Sequence, residues 1–365
     1  MTLDWTHIDK TLCTEETIVK LLSLTTPEDT EALRSRADHL TQQLVGNVVY
    51  YRGLVEFSNV CALNCLYCGI RRDNSSVTRY TLSQSEILDA ARWCTNEGYG
   101  SLVLQSGEVS NPSTVDFICD TVRQIKKLSI SETLPQGLGI TLSVGVHGEA
   151  IYRRFREAGA HRYLLRIETT DNDLFARIHP DDQTLDERIQ ALHDLRSAGF
   201  QVGTGVMIGL PGQTLEMLAR DVLFFKSFDV DMVGMGPYQP HKESPMADWP
   251  VLPVAARMQL ALNMIAVTRL VLRNANIVST TALQALTLNG REMGLSYGAN
   301  ITMPNLTPQE ARSNYQLYDG KPCLDENRQE CSECLRNRIH SVGKEVGFNE
   351  WGDSKRFEEA RGKSK

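Results

Sequence analysis

Residues 56–74 read EFSNVCALNCLYCGIRRDN. This stretch decides the fold as well as the chemistry, because a β-prone apolar run beginning near Tyr51 leads directly into Cys61, Cys65 and Cys68. The cysteines stand four and then three residues apart. Cysteine thiolates hold iron–sulfur clusters, and a cubane cluster has four irons to ligate. Three protein ligands leave one iron open, which is a place for chemistry. Zinc is the competing occupant, but it prefers four ligands in Cys-x-x-Cys pairs. No further Cys or His lies within ten residues of the triad.

Working outward from this stretch, apolar runs alternate with amphipathic helical segments eight times. The strand candidates begin near Tyr51, Ser101, Gly139, His161, Gln201, Asp231, Asn276 and Gly298. Ser83-x-x-Glu86 and Thr184-x-x-Glu187 are capping boxes that mark helix starts between them. Eight strands each followed by a helix specify an α/β fold, a complete (β/α)8 TIM barrel. Residues 1–50 read as an N-terminal helical extension, 51–320 as the barrel, and 321–365 as a C-terminal extension. The strand ends carry small or polar clusters: EFSNVC, LQSGE, LSVG, LRIET, MIGLPG, GPYQP, STT and ITMPN. Such clusters are awkward as core and sensible as a binding floor, which in these barrels lies at the C-terminal strand ends.

Composition narrows the class. Of 365 residues, 41% are hydrophobic and 23% charged, which is ordinary for a globular chain with a substantial core. The net charge of −7 offers no broad basic surface, so no nucleic-acid partner is expected. No run of eighteen apolar residues and no signal-peptide pattern is visible, so no membrane role and a cytoplasmic location are expected. Six of the nine cysteines fall in two tight triads, which argues against a disulfide framework. Cys13, Cys94 and Cys119 are isolated and read as core-like positions, and the eight histidines do not cluster.

The Cys61/Cys65/Cys68 spacing is that of the radical S-adenosylmethionine (SAM) superfamily, whose open iron is chelated by the amino and carboxylate groups of SAM. The resemblance implies a 4Fe–4S cluster with SAM, and other residues fit it. Tyr67 would cover the cluster and pack near adenine. Gln105-Ser106-Gly107-Glu108 closes the second strand, and its Ser-Gly-Glu resembles the Gly-Gly-Glu element that meets the SAM amino group. Ser143 ends strand three, and Glu168 ends strand four within Arg166-Ile167-Glu168-Thr169. Arg188, in the first turn of the next helix, is a candidate for the SAM carboxylate. Its simpler reading is a surface pair with Asp186 or Glu187. Met207 lies on strand five beside glycine, suited to adenine, although a core methionine is the commoner role. Arg162, Thr280 and Thr281, on opposed strands, are expected to form an anion-binding end of the lumen. Cys323-x7-Cys331-x2-Cys334 forms a second triad that could instead be a zinc site.

Over almost its whole length the sequence resembles the HydE family, radical SAM maturases of the FeFe-hydrogenase active site. The resemblance runs through LVLQSGE, RYLLRIET, GLPGQT, DMVGMGPYQPH, STTA, GREMGLSYGANITMPNLTP and QLYDGKPC. It implies a substrate derived from a cysteine-bound iron carbonyl cyanide complex, with HydF and HydG as partners and ferredoxin or flavodoxin as electron donor. The C-terminal triad has the spacing of members with an auxiliary cluster, so Cys323, Cys331 and Cys334 are expected to hold a second iron–sulfur cluster, 2Fe–2S or 4Fe–4S. One departure is Ile167, where some relatives carry His; any role of that His is lost, while Arg166, Glu168 and Thr169 are retained. A related radical SAM mutase or thiol-chemistry enzyme on a small organic substrate is the alternative enzyme reading. A non-catalytic iron–sulfur carrier would not need the SAM floor.

Overall fold

The structure, a computed structural model, describes residues 3–362. Residues 1–2 and 363–365, the extreme ends of the two expected extensions, lie outside it. The apolar run ahead of Cys61 forms two strands in line, β1 (Val48–Tyr51) and β2 (Gly53–Ser58). They are followed by β3 (Ser101–Ser106), β4 (Gly139–Ser143), β5 (Arg162–Leu164), β6 (Gln201–Thr204), β7 (Met207–Ile208) and β8 (Met232–Val233). The remaining strands are β9 (Gly236–Pro237), β10 (Asn276–Ile277), β11 (Ile301–Thr302) and β12 (Glu345–Gly347). Seven strands pair in the order β10-β8-β6-β5-β4-β3-β2, and every pairing is parallel. The intervening helices serve as crossovers, with the Ser83–Glu86 and Thr184–Glu187 capping boxes both formed.

The sheet curves until its two edges flank one segment, residues 300–306. On one side Leu54 N donates to Pro304 O at 2.8 Å and Leu306 N to Leu54 O at 2.7 Å. On the other, Asn300 N donates to Ile277 O and Ser279 N to Ile301 O, both at 2.9 Å. In place of eight strands in one sheet, seven form the parallel half-barrel, and β11 joins a smaller sheet with β1 and β12. Strands this short leave the joins as single bridges, Leu54 to Asn305 and Val278 to Ile301.

The helix Val254–Leu272 is long and apolar enough to cross a membrane. Here it is a core element, and its buried polar groups are satisfied. Asn263 Nδ2 donates to Leu22 O at 3.1 Å and Leu24 O at 2.8 Å, and Arg269 donates to Gly298 O and Ala275 O. The N-terminal helices Glu15–Leu22 and Pro27–Leu44 pack on this helix.

The C-terminal segment is likewise part of the fold. β12 pairs with β1, and residues 351–353 then seal the N-terminal end of the sheet. Trp351 O accepts from Ser101 Oγ and Arg162 Nη1, both at 3.0 Å. Gly352 O accepts from Arg52 Nη2 at 3.1 Å and Asn276 Nδ2 at 2.9 Å. Asp353 takes Arg162 Nη1 at 2.5 Å and His161 Nε2 at 3.1 Å. This corrects the expected grouping of Arg162 with Thr280 and Thr281. Arg162 is the first residue of its strand and is buried at the bottom, whereas Thr280 and Thr281 follow the end of β10. Opposed strands put side chains across from each other only at equal heights.

Candidate active site

The cluster loop leaves the C-terminal end of β2 and crosses the open ends of its neighbours. Asn59 fixes its start, donating to Thr78 O at 2.8 Å and Asn314 O at 2.7 Å. Arg79 collects the carbonyls of Asn59, Ile70 and Arg71. Cys61 Sγ accepts from Leu63 N and Glu108 N, both at 3.4 Å. At Gly107 a Cβ would collide with the Val60 carbonyl, so the turn after β3 can lie on the loop only as glycine.

Cys65 is buried, with Cys61 and Cys68 half-buried. Burial pushes the Cys65 thiol up to about 12 and that of Cys68 higher still, and the neighbouring triad sulfurs push the same way. Two thiols raised by burial beside a third sulfur that accepts backbone N–H groups fit a site completed by iron, whose charge would stabilise thiolates there.

The other expected residues fall around this loop. Glu108, after β3, lies with Oε2 3.5 Å from Arg188 Nη2. Its carboxyl is pushed up by burial, while the Arg188 cation and the Val146 N–H act against the shift. Arg188 Nη1 also donates to Arg166 O at 3.1 Å. Arg188 is therefore turned inward, and Asp186 and Glu187 are not its partners. Burial lowers its proton affinity, but Glu108, Tyr67, Cys65 and Glu168 together hold it above the usual range. Gly145 has φ +92°, and a Cβ there would strike the Glu108 side chain.

Glu168 is buried with φ 64°, the left-handed region that costs a non-glycine residue roughly 1–3 kcal/mol. Its carboxylate is gripped by Arg166, through Nη2 at 2.8 Å and Nε at 3.2 Å. Tyr67 OH lies 3.3 Å from His179 Nε2, and Phe175 stacks on that ring at 3.8 Å. Met207, Tyr67 and Leu66 pack against one buried cluster that includes Leu174, Ile178 and Leu210, and the Met207 carbonyl is held by Gln213 Nε2 at 3.0 Å. Gln105 Nε2 donates to Tyr315 OH at 3.1 Å, Ser106 Oγ to Gly107 O at 2.7 Å, and Ser143 closes β4 half-buried.

Further inside the same end, Thr281 Oγ1 lies 2.9 Å from Tyr318 OH, and Thr280 Oγ1 is buried with no partner. Arg291 and, more weakly, Arg166 act electrostatically on Tyr318, and Arg166 sits at this end of the sheet against Glu168. It follows β5 instead of beginning it, and that position was the available signal. The buried pair Lys321 Nζ–Glu56 Oε1, at 2.5 Å, ties the start of the C-terminal segment to β2; no motif announces it. Of the second triad, Cys323 and Cys331 come together with Glu326, their ligand atoms all within 4.8 Å. Cys334 faces elsewhere, its Sγ accepting from Arg338 Nε at 3.2 Å.

Residues 55–225 match the Radical SAM superfamily model. The chain is 41% identical to the FeFe hydrogenase maturase subunit HydE of Thermotoga maritima, over 94% of each chain. It is 27% identical to the 3-methylornithine synthase of Methanosarcina barkeri, over 90% of this chain and 89% of that one. Two solved structures share the fold at lower identity. The crystal structure of HydG, a maturase of the FeFe-hydrogenase, has a TM-score of 0.79 at 18% identity, covering 97% of this chain and 79% of that one. That of methylornithine synthase PylB has 0.76 at 23%, covering 94% and 98%.

Proposed function

Because the chain belongs to the HydE family of radical SAM maturases of FeFe-hydrogenase, we propose that it directs radical chemistry onto a cysteine-bound iron carbonyl cyanide precursor held in its lumen. The bound 4Fe–4S cluster and SAM supply the electron and the 5′-deoxyadenosyl radical, and the side chains supply placement. Cys61, Cys65 and Cys68 would hold the cluster. Arg188 would exchange its long contact with Glu108 for the SAM carboxylate, and Glu108 would accept from the SAM ammonium, so each charge finds its opposite. Glu168, fixed by Arg166 in a strained conformation, would meet the ribose hydroxyls. Tyr67 and Met207 are suited to flank the adenine, with Ser106, Ser143 and Gln105 lining the floor.

The observation that carries this reading is the convergence of the three cysteines, the Glu108–Arg188 pair and Glu168 at one end of the parallel sheet. Below them, the unpartnered Thr280 hydroxyl, Thr281 and Arg166 offer donors to an anionic ligand, and cyanide nitrogens are strong acceptors. The hydrogen bonds from both sheet edges to residues 300–306 support β11 as an eighth stave closing a complete barrel around that ligand. HydF and HydG are the proposed partners in maturation, and ferredoxin or flavodoxin the proposed electron donor. Anaerobically reconstituted, reduced protein should convert SAM to 5′-deoxyadenosine and methionine. Failure of fully cluster-loaded protein to do so would defeat the reading.

A further inference from the structure

The sulfurs of the first triad are met by hydrogen-bonding groups of two kinds. Cys61 Sγ accepts from Leu63 N and Glu108 N, both at 3.4 Å, and the backbone at Ile70 serves Cys68. Cys65 relies on side chains. The Tyr67 hydroxyl acts on it, and its own Sγ–H donates to Gln183 Oε1 at 3.8 Å. On the same amide, Gln183 Nε2 is buried without a hydrogen-bond partner. A buried N–H donor left idle is costly unless an acceptor meets it.

The approach of these two residues is fixed through the backbone. Gln183 lies between the helices Asn172–Ile178 and Leu185–Ser197, one residue ahead of the N-cap Thr184. Gln183 N donates to Pro180 O at 3.0 Å, which closes the turn. Leu66 N donates to Ile178 O at 3.0 Å, which ties the cluster loop to the start of that turn. Cys65 as a thiol is a donor and suits the amide oxygen. As a cluster ligand it is a thiolate, with lone pairs and no proton. A half-turn about the last torsion exchanges the oxygen and nitrogen of a glutamine amide at nearly the same points. The idle Nε2 donor then has its acceptor.

We propose that Gln183 donates an N–H hydrogen bond to the Cys65 sulfur of the cluster-loaded chain and thereby makes the cluster easier to reduce. The assignment rests on the proposed cluster at Cys61, Cys65 and Cys68. Hydrogen bonds to the sulfurs are among the factors that set iron–sulfur potentials, because they stabilise the added negative charge of the reduced state. Glu108 opposes negative charge on Cys65, and a neutral donor on the same sulfur counters that effect without adding a charge.

The test follows the reduced cluster by electron paramagnetic resonance in the anaerobically loaded full chain. The signal that responds to added SAM is the one titrated, so that only the first triad is read. Gln183→Leu should lower the equilibrium constant for reduction roughly three- to tenfold, a tenfold change being about 59 mV toward more negative potential. Chain labelled with nitrogen-15 at the glutamine side-chain nitrogen should show a coupling from that nucleus to the reduced cluster, and Gln183→Leu should remove it. Gln183→Glu, equal in shape but without the amide, should match Gln183→Leu in both readouts and replaces it if the Leu variant takes up no cluster. A loaded chain whose midpoint is unchanged in these variants, or that shows no nitrogen-15 coupling, would overturn the role of Gln183 alone. Absence of any SAM-responsive cluster in the unmodified chain would instead defeat the cluster assignment, and this proposal with it.

Discussion

Arg188 sits between two demands. It is buried against Glu108 at 3.5 Å, longer than a good ion pair, and takes its second contact from a backbone carbonyl. A cation held this loosely is poised for a better anion, and the SAM carboxylate is the one on offer. Arg188→Ala should weaken SAM binding by about 1.5–3 kcal/mol, the worth of a charge-assisted hydrogen bond; equilibrium dialysis with labelled SAM measures it, and an unchanged dissociation constant would return Arg188 to a structural role. Gly145→Ala probes the same contact from the other side. The new Cβ meets the Glu108 side chain at a backbone angle that L-residues avoid. SAM affinity should drop with little loss of cluster, read as iron per chain. At this scale the placement of the cysteines, Glu108 and Glu168 just past strand ends, with Arg188 near Glu108, was legible in the sequence, because small and polar clusters mark those ends. Arg162 was misread because alternation along a strand identifies a face but not a height; only the pairing register places it at the bottom.

The C-terminal element behaves as a plug. Arg162 and His161 lie at the bottom of the sheet and meet Asp353 from the far end of the chain. Burial raises the Asp353 carboxyl, but His161 and the Arg162 cation outweigh it and hold the group far below the usual range. Asp353→Asn leaves Arg162 buried without its counter-charge and should cost about 3–5 kcal/mol, measurable as a lower urea midpoint. Acid should act in the same direction. The Asp353 contribution is complete above the ordinary carboxylate value of about 3.9 and is lost below it. His161 is pushed down to about 3, chiefly by burial and then by Arg162. The unfolded chain therefore gains a proton below about pH 6.5 that the folded chain refuses, and stability falls as pH falls through that window. Urea midpoints from about pH 7.5 to about pH 4.5 should decline more steeply for the unmodified chain than for His161→Asn; parallel slopes would contradict the assignment. The sequence of residues 345–354 held no signal of this role, because a short strand and a polar loop look like any surface tail until their partners are known.

For the whole molecule, the alternation of apolar runs and capped helices made the parallel α/β architecture readable from the chain. The short strands at β8, β10 and β11 explain why an even count of eight did not appear as one continuous sheet. What local sequence could not supply was long-range closure: residues 300–306 bonding to both sheet edges, Lys321 reaching Glu56, and the C-terminal segment sealing the bottom. These contacts tie residues 300–306 and the C-terminal segment to the sheet, and the three cysteines follow the C-terminal end of β2. The account therefore stands on that end of the molecule being a working radical SAM site for hydrogenase maturation. Its most direct test is activation of cofactor-free FeFe-hydrogenase in an otherwise complete maturation mixture, comparing the unmodified chain, its Cys65→Ala variant and no added chain. Hydrogen evolution should require the unmodified chain and stay at background with Cys65→Ala, whereas full activation by that variant, or without the chain, would contradict the account.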